Sequence, residues 1–312
     1  MITERDGRVI LWKGGDLRQL GGVPTVVDEG QGGLLDVLVP RDFAETRELF
    51  FSYAKPQRRG SGTAIFRATL AEGARNLTDV RTIFELTEGS SGGRHFGSRI
   101  VEALDGHLFL TIGDRGDRPS AQDLARENGS VIRIAKDGSI PSDNPFVGDA
   151  SARPGIWSYG HRNPQGAALD LDGNLVTVGH GARGGDEINR IRPGANYGWP
   201  VIAYGRHYSG QPIGVGSSAP GLEQPDFYWD PSMAPSGMMI YSGTLWPEWR
   251  GDIFVGSLKF DYIARLEGDP LAEVEQLSSE DTSRVRDVRE APDGTIWFLS
   301  VGNGALYRMS PG

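Results

Sequence analysis

The chain contains no cysteine. This absence excludes disulfide frameworks, thiolate zinc sites and cysteine nucleophiles. It gives no information on whether the protein resides in an oxidising or a reducing compartment. No apolar run approaches the roughly 20 residues that a helix needs to cross a bilayer. The start MITERDGRVILW also lacks the charged, apolar and small-residue zones of a secretory signal. These observations predict either a cytoplasmic protein or a mature or trimmed form.

Basic and apolar residues are both scarce. The 32 basic residues are outnumbered by 41 acidic ones, and the formal net charge is -9. Such a chain repels phosphate backbones and anionic lipids, which predicts no nucleic-acid partner and no membrane insertion. Hydrophobic residues make up 38%, whereas there are 45 glycines and 19 prolines, which indicates many short elements joined by turns. A closed all-β domain can reach this size, so one domain over residues 1–312 is predicted.

Pairs of alternating apolar stretches joined by short turns recur along the chain. Six such pairs are present: MITER with GRVILW, ELFFSYA with TAIFRATL, HLFLTIGD with SVIRIAKDG, NLVTVGH with DEINRI, DIFVGSLK with YIARLEGD, and TIWFLSVG with ALYRMS. Alternation with a period of two is typical of half-buried strands, so each pair predicts a β-hairpin.

A further strand candidate precedes every pair except the first: GLLDVLVP, SRIVEALDG, QGAALDLDG, SGMMIYSG and RVRDVREAPDG. Six repeats of three or four antiparallel strands predict an all-β fold, a six-bladed β-propeller with four-stranded blades. The first blade is predicted to be incomplete at its N-terminus. A β-sandwich would also contain many short strands, but it does not predict this recurring order.

Propeller topology selects candidate functional residues, because the starts of first strands and the ends of second strands share one face. The polar and loop residues at these positions are Gln31, His95, Asp114, Arg162, Asn163, Gly181, Ala182, Ser236, Lys259, Arg284 and Arg286. We expect them to converge at one mouth of a central channel.

Four of the selected residues are basic: Arg162, Lys259, Arg284 and Arg286. Their mutual repulsion at one mouth is unfavourable unless an anion lies between them, which predicts a ligand with several carboxylates. The alternative is that each arginine pairs with a neighbouring carboxylate such as Asp287 or Asp186.

His95 and Asp114 are the acid and base candidates, because a carboxylate on one imidazole nitrogen leaves the other nitrogen able to accept a proton. A single histidine is more often structural, and no two of the five histidines have zinc-ligand spacing. The stretch GARGGDEINRIRPGANYGWP offers acids and glycine carbonyls that calcium could use, or it is a solvated turn.

In these segments the sequence resembles the soluble aldose sugar dehydrogenases and the related soluble quinoprotein glucose dehydrogenases. The resemblance runs from the first hairpin nearly to the last. It is densest in HFGSR, IGDRGD, AQDL, DGSIPSDNPFVG, IWSYGHRNPQG, RGGDEIN, NYGWPVIAYG, DPSMAPSG and RVRDV.

The resemblance implies oxidation of aldose sugars at C1 to the lactone, with pyrroloquinoline quinone (PQQ) and calcium as cofactors and an external electron acceptor. It implies that His95 is the general base, which takes the C1 hydroxyl proton while hydride moves to the quinone. It also implies that Asp114 orients His95 and that Arg162 stabilises the charge that develops on the quinone oxygen. The cofactor-binding positions that it implies are Gln31, Arg162, Asn163, Tyr208, Lys259, Arg284 and Arg286.

The resemblance also implies two metal sites. The carbonyls of Gly181 and Ala182 match ligands of the catalytic calcium, a Lewis acid on the quinone. Glu187 and the carbonyl of Tyr197 match a second, structural calcium site. The family usually reads Glu-His-Gly-Pro where this chain has GHGA at 179–182, and the lost proline frees the backbone, which predicts weaker calcium and quinone binding.

Relatives carry an upstream strand and often an export signal, so the resemblance implies a periplasmic or secreted protein, here without a signal peptide. We also expect a monomer or a homodimer. Two other functions stay open. A metal-dependent propeller lactonase needs a carboxylate-rich centre, whereas the selected residues include four basic side chains and one carboxylate. A non-catalytic binding scaffold is the second, since fold does not dictate function.

Overall fold

The computed structural model describes residues 1–73 and 75–311 and is almost entirely β-structure. Contacts between residues group the chain into two compact units, Met1–Asn163 and Pro164–Gly312, which we describe one at a time. The single domain over residues 1–312 stays a prediction. None of the helices in the described residues is long and apolar enough to cross a lipid bilayer.

The first unit contains three antiparallel sheets, each built from consecutive strands. Their strands are β1 (Ile2–Thr3), β2 (Val9–Lys13) and β3 (Asp16–Leu20); β4 (Leu34–Leu38), β5 (Glu48–Pro56), β6 (Ser61–Leu70) and β7 (Leu77–Glu85); and β8 (Ile100–Glu102), β9 (Leu108–Thr111), β10 (Ser130–Ile134) and β11 (Ile156–Tyr159). One short helix, α1 (Phe43–Thr46), and a 3-10 turn (Arg118–Gln122) lie in the connections.

The second unit repeats this arrangement with three more sheets. Their strands are β12 (Pro164–Leu169), β13 (Leu175–Gly179), β14 (Asp186–Arg190) and β15 (Phe227–Trp229); β16 (Pro235–Ile240), β17 (Ile253–Ser257), β18 (Ile263–Glu267) and β19 (Ala272–Leu277); and β20 (Val285–Glu290), β21 (Ile296–Ser300) and β22 (Ala305–Met309). Two 3-10 turns, Pro247–Trp249 and Glu280–Thr282, lie between strands.

Two of the middle strands, β5 and β17, are apolar on both faces because both faces are covered. On β5, Phe51 stacks on Phe66 of β6 at 4.8 Å in one hydrophobic core, whereas Phe50 packs into another core with residues of the third sheet. The same holds on β17, where Val255 and Phe254 enter different cores. Successive side chains of a strand point to opposite faces, so a strand covered on both sides reads as a continuous apolar run.

Six sheets of consecutive antiparallel strands confirm the predicted six-bladed β-propeller class. All six predicted hairpins pair as expected, at β1–β2, β5–β6, β9–β10, β13–β14, β17–β18 and β21–β22. Among the described residues, four blades have four strands, whereas the first and the last have three. The first blade is therefore smaller, as the sequence predicted.

Candidate active site

His95 and Asp114 form a hydrogen-bonded pair in the first unit. His95 lies in the connection before β8 and Asp114 in the connection after β9, and their Nδ1 and Oδ1 atoms are 2.7 Å apart. The Asp114 side chain is fully buried, whereas 12% of the His95 side chain is exposed. The backbone N–H of Gly116 donates to the same Asp114 oxygen at 2.7 Å. These bonds fix the carboxylate and direct the imidazole Nε2 away from it.

The backbone of His95 adopts a left-handed conformation with φ of 53°. Its N–H donates to Oε1 of Gln31 at 2.7 Å, so Gln31 holds the histidine from the loop before β4. A side chain on Gly113 would place its Cβ 2.2 Å from the carbonyl oxygen of His95, which requires glycine at that position. Non-glycine residues rarely adopt this conformation, and they do so mainly where surrounding contacts impose it.

Arg162 and Asn163 meet the same pair from the connection after β11. The backbone N–H of Asp114 donates to the carbonyl of Arg162 at 2.9 Å. The side-chain oxygen of the buried Asn163 accepts from the N–H of Gly97 at 3.2 Å. The structure therefore brings five of the predicted residues together within the first unit.

Burial lowers the pKa of His95 below its usual value, since a charged imidazolium is poorly solvated there. The hydrogen bond to Asp114 acts in the opposite direction, and the nearby positive charge of Arg162 lowers the pKa further. A histidine with a lowered pKa is neutral near pH 7 and is able to accept a proton.

Lys259 and Arg284 lie close together in the second unit. The ammonium of Lys259, after β17, donates to the carbonyl of Ser232 at 3.2 Å and lies 4.6 Å from the ring centroid of Phe260. The guanidinium of Arg284, before β20, donates at 3.0 Å to the carbonyl of Leu258, the residue preceding Lys259. Within residues 1–73 and 75–311 neither cation forms an ion pair with a carboxylate.

Arg286 and Tyr208 are the other predicted cofactor contacts of this unit. Arg286 is half-buried in β20, and Tyr208 is 73% exposed in a loop, where its carbonyl accepts from Nη1 of Arg183 at 3.2 Å. These positions leave the phenol ring of Tyr208 accessible to a ligand.

Asp186, which the sequence offered as a partner for an arginine, instead binds neutral donors. Its buried carboxylate accepts from the N–H of Gly181 at 2.9 Å, from the hydroxyl of Ser232 at 2.7 Å and from the N–H of Ala234 at 3.0 Å. It thereby connects the loop after β13 to the loop before β16, whose Ser232 carbonyl binds Lys259.

Gly181 and Ala182, the predicted ligands of the catalytic calcium, lie in a tight loop. A Cβ on Gly181 would lie 2.1 Å from the carbonyl oxygen of Gly184, so the loop requires glycine there. The carbonyl of the fully buried Ala182 already accepts from the N–H of Arg206 at 2.8 Å. A carbonyl oxygen has two lone pairs and calcium binds carbonyls, so the donor atoms fit the ion. The described residues contain no group of three or more histidine or acidic side chains that could hold a metal.

Glu187 and Tyr197 are the predicted ligands of a second calcium, and the structure places Glu187 half-buried and Tyr197 buried. Burial raises the pKa of Glu187 on β14 to about 7, and the amide of Asn189 donates to its carboxylate at 3.3 Å. A carboxylate in such surroundings is stabilised by a nearby cation, which fits calcium. The hydroxyl of Tyr197 donates to the carbonyl of Arg190 at 2.6 Å and fixes its loop.

Arg115 is a site residue that the sequence analysis did not select. Its guanidinium is buried 3.3 Å above the ring centroid of Phe96, the residue that follows His95. The sequence shows only that an arginine directly follows Asp114 in IGDRGD. Phe96 lies 19 positions before Arg115, and a contact over that separation produces no periodic pattern in the sequence.

Comparison with known families identifies the family of this chain. The sequence model of the glucose / sorbosone dehydrogenase family matches residues 1–308. This chain belongs to that family. It is therefore an oxidoreductase, as the sequence predicted, and the recognised resemblance is confirmed.

Individual family relatives are similar over nearly the whole chain. The aldose sugar dehydrogenase YliI of Escherichia coli (strain K12) is 40% identical, over 99% of this chain and 88% of the relative. The apo-form crystal structure of the soluble aldose sugar dehydrogenase from Escherichia coli has a TM-score of 0.91 at 41% identity, covering 95% of this chain and 88% of that one. The PQQ-bound form of an aldose sugar dehydrogenase from Streptomyces coelicolor has a TM-score of 0.77 at 27% identity, covering 96% of this chain and 83% of the other.

Proposed function

We propose that this protein oxidises aldose sugars at C1 to the lactone, using PQQ and calcium, and passes the electrons to an external acceptor. The observation that carries the proposal is the 2.7 Å contact between His95 Nδ1 and the buried Asp114 carboxylate in a family of sugar dehydrogenases. The PQQ-bound relative supports the choice of cofactor.

His95 is the general base in this proposal. With Nδ1 bonded to Asp114, its Nε2 accepts the proton of the C1 hydroxyl, and Asp114 stabilises the imidazolium that forms. The lowered pKa keeps the imidazole neutral before the reaction. Arg162, held beside the pair through its carbonyl, contributes positive charge where negative charge develops.

Gln31, Arg162 and Asn163 in the first unit and Tyr208, Lys259, Arg284 and Arg286 in the second are proposed to contact the cofactor. Lys259 and Arg284 support this, because their charges meet backbone carbonyls and no carboxylate among the described residues. Such cations are suited to the carboxylates of PQQ. When bound, PQQ would supply the acceptor for the hydride that leaves C1.

Calcium is proposed to bind at the carbonyls of Gly181 and Ala182, and a second ion at Glu187 and the carbonyl of Tyr197. The half-buried Glu187 carboxylate supports the second site. The Ala182 carbonyl is shared with the N–H of Arg206. Because alanine replaces the proline that the family usually has here, the backbone is freer, and we expect the first site to bind calcium more weakly than a site with a proline-fixed loop.

The expected partners are an aldose and an electron acceptor, with no nucleic acid and no membrane insertion. We propose a periplasmic or secreted location on the resemblance alone, and we expect a monomer or a homodimer. The excess of acidic residues supports the exclusion of nucleic acid.

A dye-reduction assay tests the proposal. Purified protein is incubated with PQQ and calcium, several aldoses are added, and reduction of an artificial dye is followed. We expect turnover that requires both PQQ and calcium. A folded protein that reduces no dye with any aldose would leave a binding scaffold as the better explanation, and lactone hydrolysis without PQQ would favour a lactonase.

Replacing His95 tests its role as the base. We expect His95→Ala to lower kcat about 10²- to 10⁴-fold, since a general base contributes that much. His107→Ala is a matched control, because Nδ1 of His107 also lies 3.0 Å from a carboxylate, that of Asp105, outside the proposed site. Equal losses in the two variants would contradict the assignment.

A further inference from the structure

Arg115 is a buried charged side chain to which the proposed mechanism gives no role. It is 2% exposed, and it forms no ion pair within the part of the chain that the structure describes. One guanidinium nitrogen, Nη1, donates to the carbonyl of Arg94, and Nη2 donates to the carbonyl of Ser61 at 3.4 Å. Burial lowers the pKa of Arg115 to about 10, although the neighbouring Asp114 carboxylate acts in the opposite direction. A buried guanidinium that bonds to backbone carbonyls and not to a carboxylate calls for a specific explanation.

The contacts of Arg115 enclose His95. Arg94, whose carbonyl accepts from Arg115, precedes His95, and Phe96, whose ring lies 3.3 Å from the guanidinium carbon, follows it. Arg115 is itself the residue after Asp114. The Arg115 side chain therefore connects the backbone segment that carries Asp114 to the residues on either side of His95.

The backbone conformations explain why such a restraint is needed. His95 and Arg115 both have a positive backbone φ, 53° and 56°, in the left-handed region that residues other than glycine rarely adopt. Each conformation costs energy and persists where surrounding contacts impose it. A guanidinium stacked on an aromatic ring and bonded to two carbonyls supplies contacts of that kind.

We propose that Arg115 is a positioning residue that holds the His95 imidazole in place against the Asp114 carboxylate. The geometric part of this inference stands on the contacts of Arg115 alone. Its catalytic consequence rests on the proposed function, in which His95 accepts the proton from C1.

Arg47 provides a matched control. It too has a positive φ of 57°, and its guanidinium also holds backbone carbonyls, those of Leu70 at 2.8 Å and Ala71 at 3.1 Å. None of these residues belongs to the proposed site. Arg47→Met therefore removes a comparable clamp without touching the His95 pair.

The first experiment measures the tautomer of the His95 imidazole by NMR and needs no cofactor. In the ¹⁵N spectrum of the five histidines, with His95→Gln for assignment, we expect His95 of the unsubstituted protein to be a single tautomer protonated at Nδ1. In Arg115→Met we expect its ring signals to shift toward a mixture of tautomers, whereas Arg47→Met leaves them unchanged. Identical His95 signals in Arg115→Met and the unsubstituted protein would overturn the proposal.

The second experiment measures the catalytic consequence in protein loaded with PQQ and calcium. We expect Arg115→Met to lower kcat about 10- to 100-fold, as misplaced groups do, with the KM for the aldose within about threefold. Arg115→Lys should recover part of kcat, because the charge remains. A kcat within about twofold of the unsubstituted protein, with the site loaded, would refute positioning.

Two further comparisons keep the test decisive. If Arg115→Met fails to fold, Phe96→Leu removes the ring beneath the guanidinium and keeps the charge, and we expect the same tautomer shift, smaller in size. Unchanged His95 signals in that variant would then overturn the proposal.

If the unsubstituted protein reduces no dye, the proposed function fails, while the tautomer experiment still decides whether Arg115 positions His95.

Discussion

His95, His107 and His161 show how surroundings determine what one kind of side chain can do. His95 is largely buried against the Asp114 carboxylate, and His107 contacts Asp105 nearer the surface, with 28% of its side chain exposed. His161 is fully withdrawn and bonds through Nε2 to the hydroxyl of Ser158 at 2.9 Å. His95 alone of the three combines a fully buried carboxylate partner with partial access to solvent.

Asp114→Asn tests the partner of the base. An amide in place of the carboxylate no longer raises the pKa of His95, so the rise of kcat with pH should move to lower pH. The imidazole also loses its fixed tautomer, so we expect kcat to fall about 10²- to 10⁴-fold. The pH profile of dye reduction measures both effects. An unshifted profile with normal kcat would contradict the pairing.

His161 predicts how stability depends on pH. Burial lowers its pKa to about 3, so below about 6.5 the unfolded chain binds a proton that the folded chain does not. Stability should therefore fall as the pH drops from about 6.5 toward 3, by about 2 kcal/mol at pH 5 from this group. Urea unfolding at pH 7 and pH 5 measures the loss.

In His161→Gln this part of the pH dependence should disappear, although the variant is less stable at pH 7. His207→Gln, in a surface loop, is the control and should keep the pH dependence of the unsubstituted protein. Equal losses between pH 7 and pH 5 in all three proteins would show that His161 does not titrate on unfolding.

At the scale of elements, the sequence predicted two strands of the first blade and three strands of each other blade. The strands that it missed lie at the edges of the sheets. The missed strands are β3, β7, β11, β15 and β19. On β19, Ala272–Leu277, exposed and half-buried residues alternate and no residue is fully buried. An edge strand packs on one side at most, so its sequence carries a weak apolar pattern.

Loops are ordered by buried polar groups, and Asp186 is the main example. Its carboxylate accepts three hydrogen bonds that connect the loop after β13 to the loop before β16. In Asp186→Asn the amide NH₂ would face one or more of these donors, and we expect a loss of about 1–3 kcal/mol in the free energy of unfolding. Urea unfolding tests this.

Asp149→Asn is the matched control, because Asp149 accepts from the N–H and the hydroxyl of Ser151 at the exposed surface. Water replaces such bonds, so we expect a change within about 0.5 kcal/mol. If the two variants lose equal stability, Asp186 does not organise these loops.

At the scale of the whole molecule, the prediction of one domain can be tested by calorimetry. Contacts group the chain into two compact units with a boundary at Asn163 and Pro164. If residues 1–312 are a single domain, heating should give one transition whose calorimetric and van't Hoff enthalpies agree. Two separable transitions, each assigned by the unfolding of an isolated unit, would contradict the prediction.

The sequence by itself determined the repeated strand pattern, the class of fold and the family, because alternating apolar residues and turn residues are local signals. It also selected His95, Asp114 and Arg162 as candidate catalytic residues, and their roles stay predictions. Tertiary structure decided which groups meet: Asp114 with His95, Asp186 with neutral donors, and Arg115 with Phe96. These contacts join residues far apart along the chain and depend on backbone angles such as the positive φ of His95, which no local pattern encodes.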